Sequence, residues 1–443
     1  MVCEQLYYPI SSPGGSVEDV NRYCPGGYHP VYLGAVFNSR YVVLHKLGFG
    51  TFSTVWLARD HFTNRLVALK IGRAVYGSFM KAEGIQRLLG SGWLEQFEFR
   101  GPNGAHVCVV IEVMGPTLEV VMNMVKTLDP NGGMPDYMRM RMAISLARAV
   151  ARMHLHGVVH GDIHGNNIVF HIPGMKNWTD HQVYEYFGVP RFSSPVRRLD
   201  GSQVVPRAPQ SLVYAAATPL KILPLCFEHV DLRFIDFGGS FYCHRGYCVQ
   251  KRLNTMLENA APEVHLLDFV SSAVDIWAMA CVFFRLFAGH SLFASNINEL
   301  WTMADILASQ NNPPNRWSRV LGYYYTRMEK SWKSFPPWFR QKPSLISRLL
   351  SVPRYSSWEW LVLMLTMLDL DPSARLDAES VVGRIPWIIA DAVNGRRYVE
   401  EALYGCRCSL CTHRGKVSTA PELCVASGYS TAASGLRSAI ISS

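Results

Sequence analysis

Val159-His160-Gly161-Asp162-Ile163-His164-Gly165-Asn166-Asn167-Ile168-Val169-Phe170 is the stretch around which the chain is organised. A polar loop carries one carboxylate, Asp162, and one carboxamide, Asn167, five positions later, and it runs straight into an apolar β-forming triplet. The carboxylate can accept a proton from an attacking hydroxyl, and the carboxamide oxygen can hold a metal ion. Phosphoryl transfer calls for such a pair, because its catalysis is mainly positioning plus charge neutralisation. A loop rich in Gly and Asn before a strand is also ordinary turn chemistry, so Asp162 and Asn167 need partners elsewhere in the chain.

Composition narrows the field. A chain of 443 residues, 49% hydrophobic, is long enough for two lobes with cores of their own. Its net charge of +9 is basic, yet no zinc-finger or RNP pattern and no run of Lys and Arg accompanies it, so the charge reads as solvated surface and no direct nucleic-acid partner is expected. Eleven cysteines without a secretory leader or regular spacing predict reduced thiols in a cytoplasmic and/or nuclear protein. The longest apolar run, Ala273 to Ala288, is broken by Asp275 and Arg285, which predicts a buried helix rather than a membrane span.

Upstream, three strands are expected at Tyr41–Leu44, Val55–Ala58 and Leu66–Ile71. Between the first two lies Leu47-Gly48-Phe49-Gly50-Thr51-Phe52-Ser53-Thr54-Val55. Two glycines one residue apart in a hairpin let backbone N–H groups approach phosphate oxygens with no Cβ in the way. A Gly-x-Gly hairpin alone is usually a tight turn; an Ala68-Leu69-Lys70 strand at this distance favours a phosphate cradle, with Lys70 clamping the α- and β-phosphates. A helix over Ser78–Leu89 offers Glu83 as a carboxylate to hold Lys70. His106–Gly115 reads as a buried strand ending in a connector, and Tyr137–His156 as a helix whose methionines belong to the core.

Residues 171–230, rich in Pro, Ser and Val, read as a long insertion with a short helix over Asp180–Phe187. Leu232-Arg233-Phe234-Ile235-Asp236-Phe237-Gly238 then sets a second carboxylate at a strand end, 69 positions after Asn167, where it suits a Mg²⁺ ligand. Arg375 is expected to pair with a buried Glu263. The tail from about Asn394 ends in a Ser/Ala/Gly-rich, disorder-type stretch; its Cys406, Cys408, Cys411 and His413 are too closely spaced for an ordinary structural zinc site.

With these parts together, the chain resembles the eukaryotic protein-kinase superfamily from about Tyr41 to Ile388. It looks most like the SR-protein kinases and their fungal relatives. Gly26-Gly27-Tyr28-His29-Pro30-Val31, Arg40-Tyr41, the glycine loop with Ser53 at the usual third glycine, the long spacer before Asp236-Phe237-Gly238, and Asp275-Ile276-Trp277-Ala278-Met279-Ala280-Cys281 carry that resemblance. It implies an α+β bilobal fold with a small β-rich N-lobe and a larger α-helical C-lobe. The expected division is a lead-in over 1–40, N-lobe over 41–114, C-lobe over 115–390 with the insertion inside it, and the tail over 391–443.

The resemblance also implies roles. Asp162 matches the catalytic base, Asn167 and Asp236 the Mg²⁺ ligands, and Lys70 the phosphate-clamping lysine. Leu47, Gly48, Gly50, Ser53, Val55, Ala68, Glu83, Glu112, Met114 and Val169 match ATP-binding positions, with the backbone of Glu112 and Met114 meeting the adenine edge and Ile111 guarding the back pocket. Gly161 stands where many kinases have an Arg that reads a phosphorylated activation loop. His164 stands where protein kinases usually keep a Lys near the γ-phosphate, and it is included among the catalytic residues. A monomer acting on protein serine or threonine with Mg²⁺ and ATP is expected, with no membrane partner. Arg/Ser-rich substrates are the candidate class, although residues 311–340 are basic. Two other readings stay open: a phosphotransferase similar to aminoglycoside and choline kinases, which Ala261-Pro262-Glu263 and Arg375 oppose, and a weakly active scaffold.

Overall fold

Leu66, Val67, Ala68 and Leu69 are all buried, as suits a strand with neighbours on both edges and cover on both faces. They lie in β4 of a six-stranded antiparallel sheet ordered β1-β2-β3-β4-β6-β5. Its strands are β1 (Val36–Phe37), β2 (Tyr41–Phe49), β3 (Ser53–Asp60), β4 (Arg65–Gly72), β5 (Trp93–Gly101) and β6 (Gly104–Glu112). This computed structural model describes residues 6–10, 17–74, 92–128, 134–243, 252–266, 269–293, 344–352 and 358–393, with a few isolated positions between them. Glu83 and its expected helix, the basic stretch 311–340 and the tail cysteines lie outside the described residues, apart from Leu89 and Trp317.

The three expected strands are present and longer than their apolar centres. β5 is an addition. Phe97 and Phe99 alternate there with Gln96, Glu98 and Arg100, a period-two signal partly masked by the charges of an edge strand. Phe97 and Phe99 pack against a core built from Phe37, Tyr41, Trp56, Leu69 and Val110.

Beyond the sheet the chain is mostly helical. Helices α1 (Leu118–Leu128), α2 (Asp136–Leu155), α3 (Asp180–Phe187), α4 (Leu223–Glu228), α5 (Pro262–His265), α6 (Ala273–Ala288), α7 (Leu345–Leu350), α8 (Trp358–Met367) and α9 (Ala378–Val393) follow in order. Met138, Met140, Met142 and Met153 of α2 are core residues, as expected. α6 occupies the apolar run foreseen as a buried helix and ends on Gly289, whose φ of 76° supplies the left-handed cap. α3 matches the short helix read in the insertion: Thr179 and Gln182 form a reciprocal capping box at its start.

Two findings depart from the sequence reading. Residues 6–10 and 17–31 are not an extended lead-in apart from the core. Tyr7, Val17, Val20, Tyr23 and Tyr28 form one buried cluster with Val196, Ala208 and Leu212 of the insertion. No helix or strand period marks these positions, so pattern reading has nothing to detect. Cys24 is disulfide-bonded, whereas Cys108, Cys226 and Cys281 are free and buried as expected. Among the described residues, no helix is long and apolar enough to cross a membrane.

Candidate active site

Two short strand pairs bring distant parts of the sequence together. β7 (Val158–Val159) pairs with β10 (Phe241–Tyr242), and β8 (Ile168–Phe170) pairs with β9 (Leu232–Phe234). Ile168 lies opposite Phe234, so Asn167 and Ile235 are neighbours, and the Ile235 N–H donates to the Asn167 carbonyl at 3.0 Å. The 69 positions between Asn167 and Asp236 are thereby closed by register. Asp236 itself has φ 63° and ψ 61°, left-handed values that a non-glycine residue adopts only where its surroundings hold it.

The Asp162 loop is held from below. Asp275, wholly buried in the first turn of α6, accepts the His160 N–H on Oδ2 at 2.8 Å and the Gly161 N–H on Oδ1 at 2.9 Å. His154 Nε2 lies 3.0 Å from the same Oδ2. Burial pushes the Asp275 carboxyl up, but His154, His160 and the Gly161 amide outweigh it and hold the group below the usual carboxylate range. His160 adds a second tie. Its Nδ1 accepts the Asp162 N–H at 3.3 Å, which leaves Nε2–H to donate to the Ile235 carbonyl at 3.1 Å. The sequence reading treated Asp275 only as the opening of a helix. A carboxylate inside an apolar run was the available signal, because a buried charge must find partners.

Within the loop, Asn167 Nδ2 donates to the Asp162 carbonyl at 3.0 Å and to Asp162 Oδ2 at 3.1 Å. The amide nitrogen is therefore committed to Asp162, and the Asn167 side-chain oxygen is the atom suited to a cation. Asp162 Oδ1 is buried and has no hydrogen-bond partner among the described residues. His164 Nε2 lies 3.6 Å from Asp162 Oδ2. From the sheet, Lys70 Nζ reaches Asp236 Oδ1 at 2.8 Å. Burial pushes the Asp236 carboxyl up, but the Lys70 ammonium prevails and keeps it below its ordinary range.

The expected nucleotide-binding positions are distributed around these groups. Leu47 and Gly48 lie on β2, Ser53 and Val55 on β3, and Gly50 in the turn between them. A Cβ added at Gly48 or Gly50 would meet no protein atom within 4 Å, so the turn is open on that side. Ala68 pairs with Ile111 and Val55 with Lys70. Glu112 ends β6, Met114 follows it, and Val169 bridges to Thr117. The Glu112 carboxylate accepts from Arg233 Nη1 at 3.3 Å and lies 3.6 Å from His171 Nε2. His171 and then burial, which acts oppositely, set the Glu112 carboxyl below its ordinary value. An oxygen-donor pair at Asn167 and Asp236, an ammonium at Lys70 and an uncovered glycine turn form a donor set that fits Mg²⁺ and a polyphosphate.

In the helical region, Arg375 binds both oxygens of Glu263, at 2.6 and 2.8 Å, with both side chains fully buried. It also donates to the carbonyls of Ala273 and Asp369. The pairing expected from the sequence is made, and it joins α5 to the segment between α8 and α9.

Comparisons with known proteins agree with this architecture. The protein kinase domain family matches residues 222–388, a span that begins after Lys70 and Asp162. Protein kinase dsk1 of Schizosaccharomyces pombe is 37% identical over 169 residues, covering 34% of this chain and 30% of that protein. The serine/threonine-protein kinase SRPK of Physarum polycephalum is 28% identical over 65% of this chain and 70% of its own length. The chain thus spans less than a third of the yeast relative and about two thirds of the slime-mould one. A crystal structure of a kinase domain superposes with a TM-score of 0.55 at 17% identity, covering 81% of this chain and 98% of that one. With its strands, loop and buried ion pair set out as above, the chain carries a protein kinase domain match over residues 222–388 and is similar to SR-protein kinases and their fungal relatives.

Proposed function

We propose that this protein is a serine/threonine protein kinase that transfers the γ-phosphate of ATP to protein hydroxyl groups. The observation that carries this reading is the convergence of Lys70, the Asp162–Asn167 loop and Asp236, drawn from three separate parts of the sequence. Asp162 accepts the proton of the substrate hydroxyl on its carboxylate. Asn167 fixes the Asp162 carboxylate through Oδ2 and presents its own oxygen to a cation, and Asp236, kept ionised beside Lys70, presents another. Bound Mg²⁺ would neutralise phosphate charge at Asn167 and Asp236. Lys70 orients the α- and β-phosphates, and the β2–β3 turn covers them. His164, within 3.6 Å of Asp162, contributes positive character beside the acceptor hydroxyl when protonated.

Gly161 occupies the position of the phosphate-reading Arg, and its amide is instead tied to Asp275. We therefore expect activity without phosphorylation of the activation segment. Arg/Ser-rich proteins are the substrate class we propose. In support, a cavity of about 110 Å³ beside His164 is lined by Glu119, Glu258 and Arg285. Arg285 pairs with Glu119, and Glu258, which accepts from Ser291 Oγ at 3.0 Å, adds a carboxylate that can attract a basic side chain. We place the protein in the cytoplasm and/or nucleus as a monomer, with no direct nucleic-acid or membrane partner.

The test is transfer of labelled phosphate from Mg·ATP to an Arg-Ser repeat peptide, a generic basic protein and an aminoglycoside, with Asp162→Ala as control. Transfer to serine that vanishes in the variant is expected. Transfer to the aminoglycoside alone would replace the protein-kinase reading, and nucleotide binding without any transfer would favour a scaffold.

A further inference from the structure

The β2–β3 turn is held from outside by residues with no part in the site described above. Tyr28 Oη donates to the Gly50 carbonyl at 2.5 Å, and Arg22 Nη1 donates to the Thr51 carbonyl at 3.0 Å. The two donors are 3.3 Å apart from each other and share one short segment. That segment is folded tightly. The Tyr28 N–H returns to the Arg22 carbonyl at 2.8 Å, and a Cβ at Gly27 would lie 1.9 Å from that carbonyl oxygen, so only glycine fits. The Gly27 carbonyl in turn accepts the Ala74 N–H just past β4, at 3.0 Å.

In a planar trans peptide, the carbonyl of one residue and the N–H of the next point in opposite directions. Fixing the Gly50 and Thr51 carbonyls toward residues 22–28 therefore turns the Thr51 and Phe52 N–H groups to the opposite side of the turn. Successive backbone N–H groups held on one side of a loop make an anion-binding concavity.

The segment is itself anchored by the insertion. Tyr28 and Tyr23 are buried with Val196, Ala208 and Leu212. Asn103 Nδ2 donates both to the Tyr28 carbonyl at 2.7 Å and to the Arg207 carbonyl at 2.8 Å. Glu18 forms a buried ion pair with Lys46 of β2 and accepts from Tyr23 Oη. The Lys46 carbonyl accepts the Ala216 N–H at 2.8 Å. The insertion thus reaches the glycine turn from both sides: through the 17–31 segment and along β2.

We propose that residues 17–31 and the insertion form a brace that preorganises the glycine turn for phosphate, with Tyr28 and Arg22 as positioning residues. The inference rests on the kinase reading of the turn and deepens it. It assigns part of nucleotide recognition to residues outside both the expected lobe boundaries and the matched kinase-domain span.

The experiment compares Mg·ATP and adenosine binding by calorimetry, together with ATP kinetics, in the full chain and in Tyr28→Phe, Arg22→Ala, Arg22→Lys and Leu212→Ala. Losing one such hydrogen bond should weaken Mg·ATP binding about fivefold and raise the KM for ATP more than it lowers kcat. Adenosine, which lacks phosphates, should bind all variants equally. Arg22→Lys should recover part of the Arg22→Ala loss, and Leu212→Ala should show the same phosphate-selective defect from a distance. Unchanged Mg·ATP binding in Tyr28→Phe and Arg22→Ala overturns the brace, as does equal weakening of ATP and adenosine. Either result leaves the kinase reading intact if wild-type transfer still depends on Asp162. A wild-type chain that binds no nucleotide overturns both.

Discussion

Replacing Asp275 with Asn tests whether a buried carboxylate in α6 sets the geometry of a loop more than a hundred residues earlier. The two backbone N–H groups it holds approach different oxygens, His160 N to Oδ2 and Gly161 N to Oδ1. An amide offers one oxygen, so either rotamer turns an NH₂ group toward one of these donors. An unpaired buried N–H costs about 1–3 kcal/mol, and a lost bond to a charged acceptor about 1.5–3 kcal/mol. Together they predict that Asp275→Asn destabilises the protein by about 2.5–6 kcal/mol, with additional strain if the loop does not shift to relieve it. Relief by movement would displace Asp162, and a misplacement of about 1 Å in a reacting group can cost about a hundredfold in rate. Urea denaturation and kcat for phosphate transfer read the two effects separately. Stability within about 1 kcal/mol of wild type, with kcat within about twofold, would refute the anchoring role.

Other outcomes follow from the same structure. Glu263→Gln leaves Arg375 buried without its counter-charge and should cost about 3–5 kcal/mol in urea denaturation; a loss below about 1 kcal/mol would contradict the full burial of the pair. Gly161→Ala forces a side chain into φ +75° and brings its Cβ to 3.3 Å from Leu253 Cδ2, so a cost of about 1–2 kcal/mol is expected, measured the same way. His171 is raised above its ordinary pKa by Asp231 and then Glu112. Its stabilisation is therefore complete below about pH 6.5 and fades as pH rises through the elevated folded value. The melting temperature of wild type relative to His171→Gln should fall as pH rises above about 6.5, and parallel profiles would remove the histidine from this account.

The Glu112–His171–Arg233–Asp231 cluster has a structural consequence as well. It ties the end of β6 to β8 and β9, the same strands that bring Asn167 and Asp236 together. A charge network at this junction couples the segment that follows β6 to the strands next to Asn167 and Asp236. It also explains why Glu112 is acidic although its expected contact with adenine is through backbone.

Local chemistry was legible wherever it was written in adjacent residues. The Asp162–Asn167 loop, the Gly48–Gly50 turn, Lys70 on an apolar strand and the Asp236 strand end each show their residue types at short spacing. α6 and α3 were also readable, the first from its long apolar run interrupted only by Asp275 and Arg285 and the second as a short helix within the insertion. The pairing of Glu263 with Arg375 was inferred because two opposite charges among apolar residues must meet. Tertiary structure decided what depends on packing between segments without periodicity. The sequence shows Asp275 as a charge in a helix, and only the fold shows which backbone amides it holds. Tyr28 lies in the Gly26–Val31 stretch, yet nothing in it or around Arg22 shows what either side chain holds, because a side chain capping a carbonyl on another segment leaves no spacing rule behind. The insertion likewise looked like a spacer, and only burial of Val196, Ala208 and Leu212 against Tyr7 and Tyr23 shows that it supports the small lobe. Local sequence dictates which atoms a loop can offer; register and burial, summed over distant segments, dictate where those atoms point.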